Sequence, residues 1–332
     1  MMFEIVRYTR EYIDENVDLY IEAFHEVYRK YNVRKEFQTR EGALEAIFLL
    51  QERHPGSYSL MAIDPATKKV VGHVITTVSV PLSSPRTPGQ LSVASIGPVS
   101  VSPHYQGKGI AMKLMQALCE VMDEKKVDSL RLMQDAFNPI SFSLYLRSQF
   151  MPKEAISILE GMPDPTSIEH LADLEASTLI RKITLDDLDA CDRLYGQAHP
   201  GFSRRLDLET ELKTSKICTS FALIDKNTQE FVGYSASIPG HSVCKTEDYF
   251  KILFVRTCHL SSAEKDEYNR KNGKTELTSL KEYFYCPWTS HPGLLKWGVE
   301  CAKLKIWRNE THMVRGVYCV NPEMTYIPDC FQ

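Results

Sequence analysis

The stretch VSVSPHYQGKGIAMKLMQALCEVM, residues 99–122, changes character in its middle. Alternating apolar residues, typical of a strand, run into a turn with two glycines, and apolar residues spaced three and four apart, typical of a helix, follow. Gly107 and Gly109 allow a left-handed backbone and a close approach of other atoms. Because a helix N-terminus presents unpaired N–H groups and the positive end of the helix dipole, such a turn can cradle a phosphate. The stretch therefore predicts a strand, a phosphate-binding turn and a helix, in that order.

Two familiar glycine motifs do not fit this turn. A dinucleotide-binding turn needs a third glycine and an N-terminal β-α-β frame, whereas here two predicted helices and several hairpin-like strands come first. A P-loop ends in Gly-Lys-Ser/Thr, and the sequence QGKGIA lacks that ending.

The first half of the chain predicts helices and strands around this turn. Apolar spacing indicates helices over 11–31 and 40–53, and β-rich runs over 58–64 and 69–80 are joined by PATK as a hairpin. Another strand, 91–101, is interrupted by Gly97-Pro98. Because proline lacks a ladder donor, this strand is either bulged and splayed from its neighbour or simply kinked.

Two pairs of segments indicate an internal repeat. DPATKKVVG (64–72) aligns without gaps on DKNTQEFVG (225–233), and VRYTREYIDENVDLY (6–20) resembles RKITLDDLDACDRLY (181–195). The alternative is chance similarity between two hairpins and two helices. We expect two copies of one fold, with a first domain at 1–160, a linker at 161–178 and a second domain at 179–332. The charged segment 261–277 predicts a surface loop.

Composition limits the class of protein. A chain of 332 residues is longer than a single hydrophobic core usually accommodates, which suggests two domains. No apolar run is long enough for a membrane helix. A net charge of -4 and a pI near 6.2 argue against non-specific nucleic-acid binding. The acidic N-terminal segment is unlike an export signal, so we expect a cytoplasmic protein. The nine cysteines have no C-x-x-C spacing, which predicts reduced thiols and no metal site: Cys119, Cys191, Cys218, Cys244, Cys258, Cys286, Cys301, Cys319 and Cys330.

Two spaced motifs resemble the GNAT superfamily of acyl-CoA-dependent N-acyltransferases. The first, Gln/Arg-x-x-Gly-x-Gly/Ala after a bulged strand, corresponds to Gln106–Ala111 after Gly97-Pro98. The second, Asn-x-x-Ser/Ala-x-x-Leu-Tyr-x-(basic)-x-Gly-Phe, corresponds to residues 138–150, with Gln149 where glycine is usual. The resemblance implies an α/β fold of the α+β type, with a mixed, mostly antiparallel sheet, a splayed central strand and flanking helices, in two tandem copies.

The resemblance also implies roles for individual residues. The pyrophosphate of acetyl-CoA, the expected co-substrate, would lie on the turn amides, and the pantetheine arm would pair with the backbone of Val99 and Val101. Asn138 would contact the pantetheine, or would only cap the following helix. Tyr145 would be the general acid, unless it is a core tyrosine of an amphipathic helix. The turn residues are Gln106, Gly107, Lys108, Gly109, Ile110 and Ala111.

The general base has several candidates, because the acid that many relatives carry on the central strand is absent from LSVASIGPV. Asp135, at the end of the following strand, is the leading candidate. His73 and Glu26 are weaker candidates, and a water chain would serve equally well. His104 could contact phosphate or be merely exposed.

The second copy contains no such glycine turn in residues 240–332, although SHPGLLKWGVECAKL occupies the expected helix position. The missing turn predicts a degenerate copy that completes the substrate cleft or stabilises the first domain.

The resemblance therefore predicts an N-acetyltransferase that moves the acetyl group of acetyl-CoA directly to a primary amine of a small molecule. The alternatives are a non-catalytic acyl-CoA-binding scaffold or sensor and a protein N-acetyltransferase. We expect no nucleic-acid or membrane partner, and the sequence leaves a homodimer open.

Overall fold

The computed structural model describes residues 3–35, 39–86, 88–214, 220–236, 241–272 and 283–328. The strands are β1 Glu4–Arg7, β2 Leu60–Ile63, β3 Val70–Val78, β4 Val93–Val101, β5 Ser129–Asp135, β6 Met151–Glu160, β7 Thr178–Lys182, β8 Phe221–Asp225, β9 Phe231–Ser235, β10 Ser242–Cys244, β11 Tyr283–Pro287, β12 Lys305–Gly316 and β13 Thr325–Ile327. The α-helices are α1 Ile13–Lys30, α2 Arg40–Ala43, α3 Leu49–Arg53, α4 Ile110–Glu124, α5 Pro139–Arg147, α6 Ala172–Ala176, α7 Leu188–Ala198, α8 Arg205–Thr214, α9 Glu247–Asn272 and α10 Pro292–Glu300. A π-helical segment, Leu44–Phe48, joins α2 to α3.

The chain forms two compact units. Of the described residues, the first holds those up to Lys153 together with His312–Tyr318, and the second holds those within Glu154–Thr311 and those from Cys319 to residue 328. In the first unit the strand order is β1-β2-β3-β4-β5, followed by the end of β12. Strands β1 to β4 pair antiparallel, and β4 and β5 pair parallel.

The second unit has strands in two groups. One is an antiparallel sheet of order β13-β10-β9-β8-β7, and the other includes the antiparallel pair of β6 with β11. The segment predicted as a linker forms a 3-10 helix, Pro165–Leu171, followed by α6, and it buries Ile168 in the core of this unit. The predicted mixed, mostly antiparallel sheet with flanking helices is confirmed in the first unit, and the strand pairs described for the second unit are antiparallel.

The repeat is visible in the conformation of its two hairpins. In the first, the N–H of Lys68 donates to the carbonyl of Asp64 at 2.8 Å, and in the second the N–H of Gln229 donates to that of Asp225 at 2.8 Å. Lys68 has a left-handed φ of 60°, and Gln229 has a left-handed φ of 61°. The two aligned turns thus share their hydrogen bond and their left-handed residue.

The core of the first unit lies on both faces of its sheet. One apolar cluster packs under α4 and includes Val74, Leu114 and Leu118. The other packs under α1 and the segment from α2 to α3, and includes Tyr20, Phe48 and Ile75. Within the described residues no helix is both long and apolar enough to span a bilayer.

One prediction about the second half is wrong. The charged segment 261–277 was expected to be a surface loop, yet its described part, to residue 272, continues α9. Charged residues there form helical pairs such as Glu267–Lys271, four residues apart, at 2.7 Å. The charged composition that suggested a surface loop therefore belongs to a solvent-exposed helix.

Candidate active site

The central strand parts from its parallel neighbour partway along its length. β4 pairs with β5 only from Val93 to Ser95, although both strands continue. On the other side, the register with β3 shifts between Val74 and Thr76, opposite the Gly97-Pro98 step. Gly97 has φ 151°, in a region that favours glycine. The strand is therefore bulged and splayed, and a gap opens between β4 and β5.

The backbone of β4 beyond the bulge faces this gap at alternate residues. The N–H of Ser102 donates to the carbonyl of Val71 on β3 at 3.0 Å. In an antiparallel ladder the bonding direction alternates, so the polar groups of Val99 and Val101 point away from β3. The Gln106 side chain donates from Nε2 to the carbonyl oxygen of Val101 at 3.3 Å. The first motif residue thus holds the strand at the mouth of the gap.

The glycine turn ends in an accessible helix N-terminus. Gly107 has φ 76° and Gly109 has φ 79°, and a Cβ at either position would meet no atom within 4 Å. The first bond of α4 runs from the Lys113 N–H to the Gly109 carbonyl at 3.1 Å. The N–H groups of Ile110 and Ala111 therefore precede the helical ladder, at the positive end of the dipole.

Two side chains of the turn lie beside it. Lys108 donates from Nζ to the carbonyl of His104 at 2.9 Å and sits 4.4 Å from the centre of the Tyr105 ring. His104 is mostly exposed, 3.7 Å from a carboxylate oxygen of Glu22. A cation next to an exposed helix N-terminus gives the turn the electrostatics of an anion site.

Asn138 caps α5, as one alternative predicted. Its Oδ1 accepts a hydrogen bond from the N–H of Ser141 at 3.3 Å, and Pro139 takes the first helical position. Gln134, which sequence reasoning missed, is buried below this turn and donates to the Asn138 carbonyl at 2.8 Å and to the Ser141 hydroxyl at 3.1 Å. The signal in the sequence was a polar residue that directly follows the strand residues LRLM, 130–133.

Tyr145 and Asp135 lie near each other in the first unit. The Tyr145 ring is 8% exposed and packs against Phe150 at 6.2 Å between ring centres. Burial, and secondly the charge of Asp135, raise the pKa of the Tyr145 phenol. The phenol therefore stays protonated over the ordinary pH range, as a proton donor must. The core position does not exclude that role.

The weaker candidate bases have different surroundings. Glu26 pairs on the surface of α1 with Arg29, at 2.6 Å. His73 is buried on β3, and burial lowers its pKa to about 3. No group of three or more His, Cys, Asp or Glu side chains that could hold a metal occurs in the described part of the chain.

The corresponding helix of the second unit, α10, has a carboxylate at its start. A Cβ on Gly293 would lie 3.2 Å from Oε2 of Glu247, whose Oε1 is 3.0 Å from Nδ1 of His291. A negative charge at a helix N-terminus disfavours a phosphate there. Glu247 thus fits the prediction of a degenerate second copy, which stays a prediction.

Comparison with known proteins agrees with this geometry. The sequence model of the acetyltransferase (GNAT) family matches residues 14–150, which hold both motifs. No curated protein matches the chain.

Solved structures resemble the chain over nearly its whole length. A putative acetyltransferase from Pyrococcus horikoshii has a TM-score of 0.64 at 16% identity, covering 95% of this chain and 90% of the other. A GCN5-related N-acetyltransferase from Sphaerobacter thermophilus has a TM-score of 0.56 at 11% identity, with 96% and 97% covered. A tandem GNAT protein from the clavulanic acid biosynthesis pathway has a TM-score of 0.54 at 12% identity, with 96% and 100% covered. At such identities the likeness is one of fold. The family match and the two motifs together assign residues 14–150 to the GNAT acetyltransferase family, and the chain as a whole is similar in fold to these structures.

Proposed function

We propose that the first unit transfers an acetyl group from acetyl-CoA to a primary amine of a small molecule. One observation about β4 carries the proposal. The exposed N-terminus of α4 follows this strand, and the gap to β5 opens beside it. The α4 amides suit a pyrophosphate, and the backbone of Val99 and Val101 beyond Gly97-Pro98 suits an amide-rich arm.

The residues around the gap fit acetyl-CoA as co-substrate. The turn from Gln106 to Ala111 would hold the pyrophosphate, with Lys108 adding positive charge. Gln106 keeps the Val101 carbonyl in place. Asn138, at the opposite edge of the gap, would contact the pantetheine in addition to capping α5. The bound thioester would supply the activated acetyl group.

Tyr145 and Asp135 would handle the protons. The neutral amine nitrogen forms a bond to the carbonyl carbon of the thioester, and Asp135 takes a proton from this nitrogen as it becomes positively charged. The N–H of Val99 or Val101 donates to the carbonyl oxygen while it carries negative charge. As the carbon–sulfur bond breaks, the Tyr145 hydroxyl gives its proton to the sulfur, and the proton that Asp135 accepted returns to the phenolate.

The second unit has no coenzyme site in this proposal, because Glu247 occupies the start of α10. None of the seven cysteines in the described residues forms a disulfide, whereas Cys218 and Cys330 lie outside them. This thiol chemistry suits a reducing compartment, and we assign the protein to the cytoplasm on that ground.

A non-catalytic acyl-CoA binder is the second candidate, and the absence of a carboxylate from the sequence of β4 favours it. Mass spectrometry separates the two functions. Purified protein is incubated with acetyl-CoA and a panel of primary amines, amino acids and short peptides, while calorimetry measures coenzyme affinity. One acetylated small amine supports the proposal. Coenzyme binding without any acetylated product supports the binder, and acetylated peptides alone would indicate a protein acetyltransferase.

The role of Tyr145 is tested by Tyr145→Phe. We expect kcat to fall at least several-fold with acetyl-CoA affinity unchanged, because only the proton donor is removed. Tyr285→Phe, which removes a buried phenol hydroxyl in the second unit, is the control and should keep kcat. An unchanged kcat in Tyr145→Phe would exclude the general-acid role.

A further inference from the structure

Two buried polar side chains face each other across β3 and β4. His73 is 1% exposed and Ser100 is 2% exposed, and the two are register partners. Neither the ring nitrogens of His73 nor the hydroxyl of Ser100 has a hydrogen-bond partner among the described residues. Buried polar groups without partners are uncommon in native proteins and need an explanation.

The pair lies on the sheet face that is turned away from α4. A Cβ on Gly72 would meet Ile110 of α4, and side chains alternate along a strand, so His73 points to the opposite face. There it meets the ring of Phe48 edge-on, at 5.7 Å between centres. Ser100 sits between Val99 and Val101 on β4, whose polar backbone groups face the gap. The two polar side chains are therefore adjacent to the proposed thioester position.

A row of aromatic rings runs from this pair along α1 to the other edge of the gap. Successive rings along it lie between 4.5 and 6.2 Å apart, centre to centre. The row consists of Phe48, Tyr20, Phe24, Tyr28 and Phe137. Because Phe137 directly precedes Asn138, the row joins the β3 side of the gap to its α5 side.

Phe48 reaches His73 from an unusual helical turn. It is the last residue of the π-helical segment Leu44–Phe48. Such segments are rare in helices and are frequent at functional sites. The π-helical turn is thus a second feature, independent of the two polar side chains, that marks this face.

The carboxylates of α1 beside the row are engaged with arginines. Asp14 and Asp18 both accept from Arg40, and Glu26 accepts from Arg29 at 2.6 Å. A polycationic acceptor would have to compete with these guanidinium groups for the three carboxylates. These three carboxylates are therefore less favourable for a second cation, whereas the row itself offers aromatic rings and neutral polar groups.

We infer that His73 and Ser100 are the polar end of the acceptor subsite, and that the acceptor is a primary amine on a flat, apolar body such as an aromatic ring. The inference rests on the proposed function and names its substrate class. A His73 ring nitrogen accepts a hydrogen bond from the amine, and the Ser100 hydroxyl makes a second contact. The rings beginning at Phe48 cover the apolar body.

The protonation of His73 suits this contact. Burial holds its pKa at about 3, so the imidazole is neutral at ordinary pH. A neutral imidazole always has one ring nitrogen that accepts a hydrogen bond. His73 binds the amine in this scheme, and Asp135 keeps the task of removing its proton.

The test uses the full chain, saturating acetyl-CoA and two probe amines, 2-phenylethylamine and spermidine. We expect kcat/KM for 2-phenylethylamine to exceed that for spermidine at least about tenfold. His73→Leu should raise KM for 2-phenylethylamine about tenfold, with acetyl-CoA affinity unchanged. Its melting temperature should be equal or higher, because no hydrogen bond within the described fold is lost. Ser100→Ala should also raise KM for 2-phenylethylamine.

Thr76→Val is the matched control. The Thr76 hydroxyl is on the same strand, is also buried and also lacks a partner among the described residues, but its register partner Ile96 packs in the cluster under α4. We expect this variant to keep KM for both amines.

The outcomes separate this inference from the proposed function. Preference for spermidine, an unchanged KM in His73→Leu, or an equal rise of KM in Thr76→Val overturns the inference. Acetylation of some other class of amine, with neither probe used, also overturns it but leaves the proposed function standing. If coenzyme binds and no amine of any class is acetylated, the proposed function fails, and the inference falls with it.

Discussion

At the scale of single residues, the proposed chemistry depends on keeping a buried phenol protonated. Desolvation and then the carboxylate of Asp135 raise the pKa of Tyr145 above its ordinary value. The same carboxylate that would accept the proton of the amine therefore also keeps the neighbouring acid in its active form. In the proposed mechanism the charge of the base thus helps to keep the acid protonated.

This arrangement predicts the alkaline side of the pH profile. An acid with a raised pKa remains protonated as the pH increases, so Tyr145 should cause no loss of kcat up to a pH of about 10, where an ordinary tyrosine ionises. The measurement is kcat at saturating substrates from neutral pH to about 10. A fall in kcat over this range that Tyr145→Phe abolishes would contradict the raised pKa.

Asn138 has two roles that substitutions can separate. Asn138→Ala should lower the free energy of unfolding by about 1 kcal/mol, because the cap of α5 is lost. Asn138→Ser keeps a capping oxygen and should keep most of the stability, yet it shortens the side chain and should weaken acetyl-CoA binding several-fold. Chemical unfolding and calorimetry measure the two effects. Full coenzyme affinity in the serine variant would leave Asn138 with the capping role alone.

At the scale of elements, the strand–turn–helix unit joins two binding surfaces through one short turn. Gln106 ties the turn back to the Val101 carbonyl, and Gly109 begins α4 in a left-handed conformation. An exposed helix N-terminus and a splayed strand edge are thus held at a fixed distance. This coupling suits the proposed ligand, which is both anionic and rich in amides.

Gly109→Ala tests the placement of the pyrophosphate. An alanine in the left-handed region should cost about 1 kcal/mol of stability, and the added Cβ would meet no protein atom. A tenfold or larger loss of acetyl-CoA affinity by calorimetry would therefore be due to contact with the ligand.

The control for that experiment is Gly89→Ala. Gly89 also has a left-handed φ, 81°, and equally open surroundings, but it lies in the loop between β3 and β4. It should lose similar stability and no affinity. Equal affinity in Gly109→Ala and Gly89→Ala would place the pyrophosphate elsewhere.

At the scale of the whole molecule, the compact units do not follow the order of the chain. The first unit includes His312–Tyr318, and its sheet continues from β5 to the end of β12. The Val317 N–H donates to the Asp128 carbonyl at 2.8 Å, and Arg315 pairs with Asp123 of α4 at 2.7 Å. The predicted domain division at 160 and 179 stays a prediction about the two copies, since the units exchange segments.

This exchange predicts that the first copy does not fold well alone. Residues 1–160 lack the strand beside β5, and an uncovered strand edge favours aggregation. We expect this fragment to aggregate or to bind acetyl-CoA at least tenfold more weakly than the full chain. The same fragment with residues 305–318 attached through a flexible Gly/Ser linker should be monomeric and bind the coenzyme. Size-exclusion chromatography and calorimetry give the answer, and a monomeric, fully binding 1–160 fragment would contradict the expectation.

The sequence alone determined the features that depend on neighbouring residues. The left-handed glycines of the turn, the Asn138 cap and the aligned hairpins at Asp64 and Asp225 follow from local backbone preferences, which a short window of sequence contains. The two motifs and the family resemblance have the same origin. The proximity of Asp135 to Tyr145 was also within reach, because one turn joins the strand and the helix that carry them.

Only the tertiary structure decided the rest, because it depends on groups far apart in the chain. His73 and Ser100 become partners through the register of two strands, and Phe48 joins them through the packing of a helix. Glu247 closes the start of α10 from another helix, and His312–Tyr318 completes a sheet that begins at residue 4. No local pattern records such contacts, since burial and strand order are properties of the whole fold.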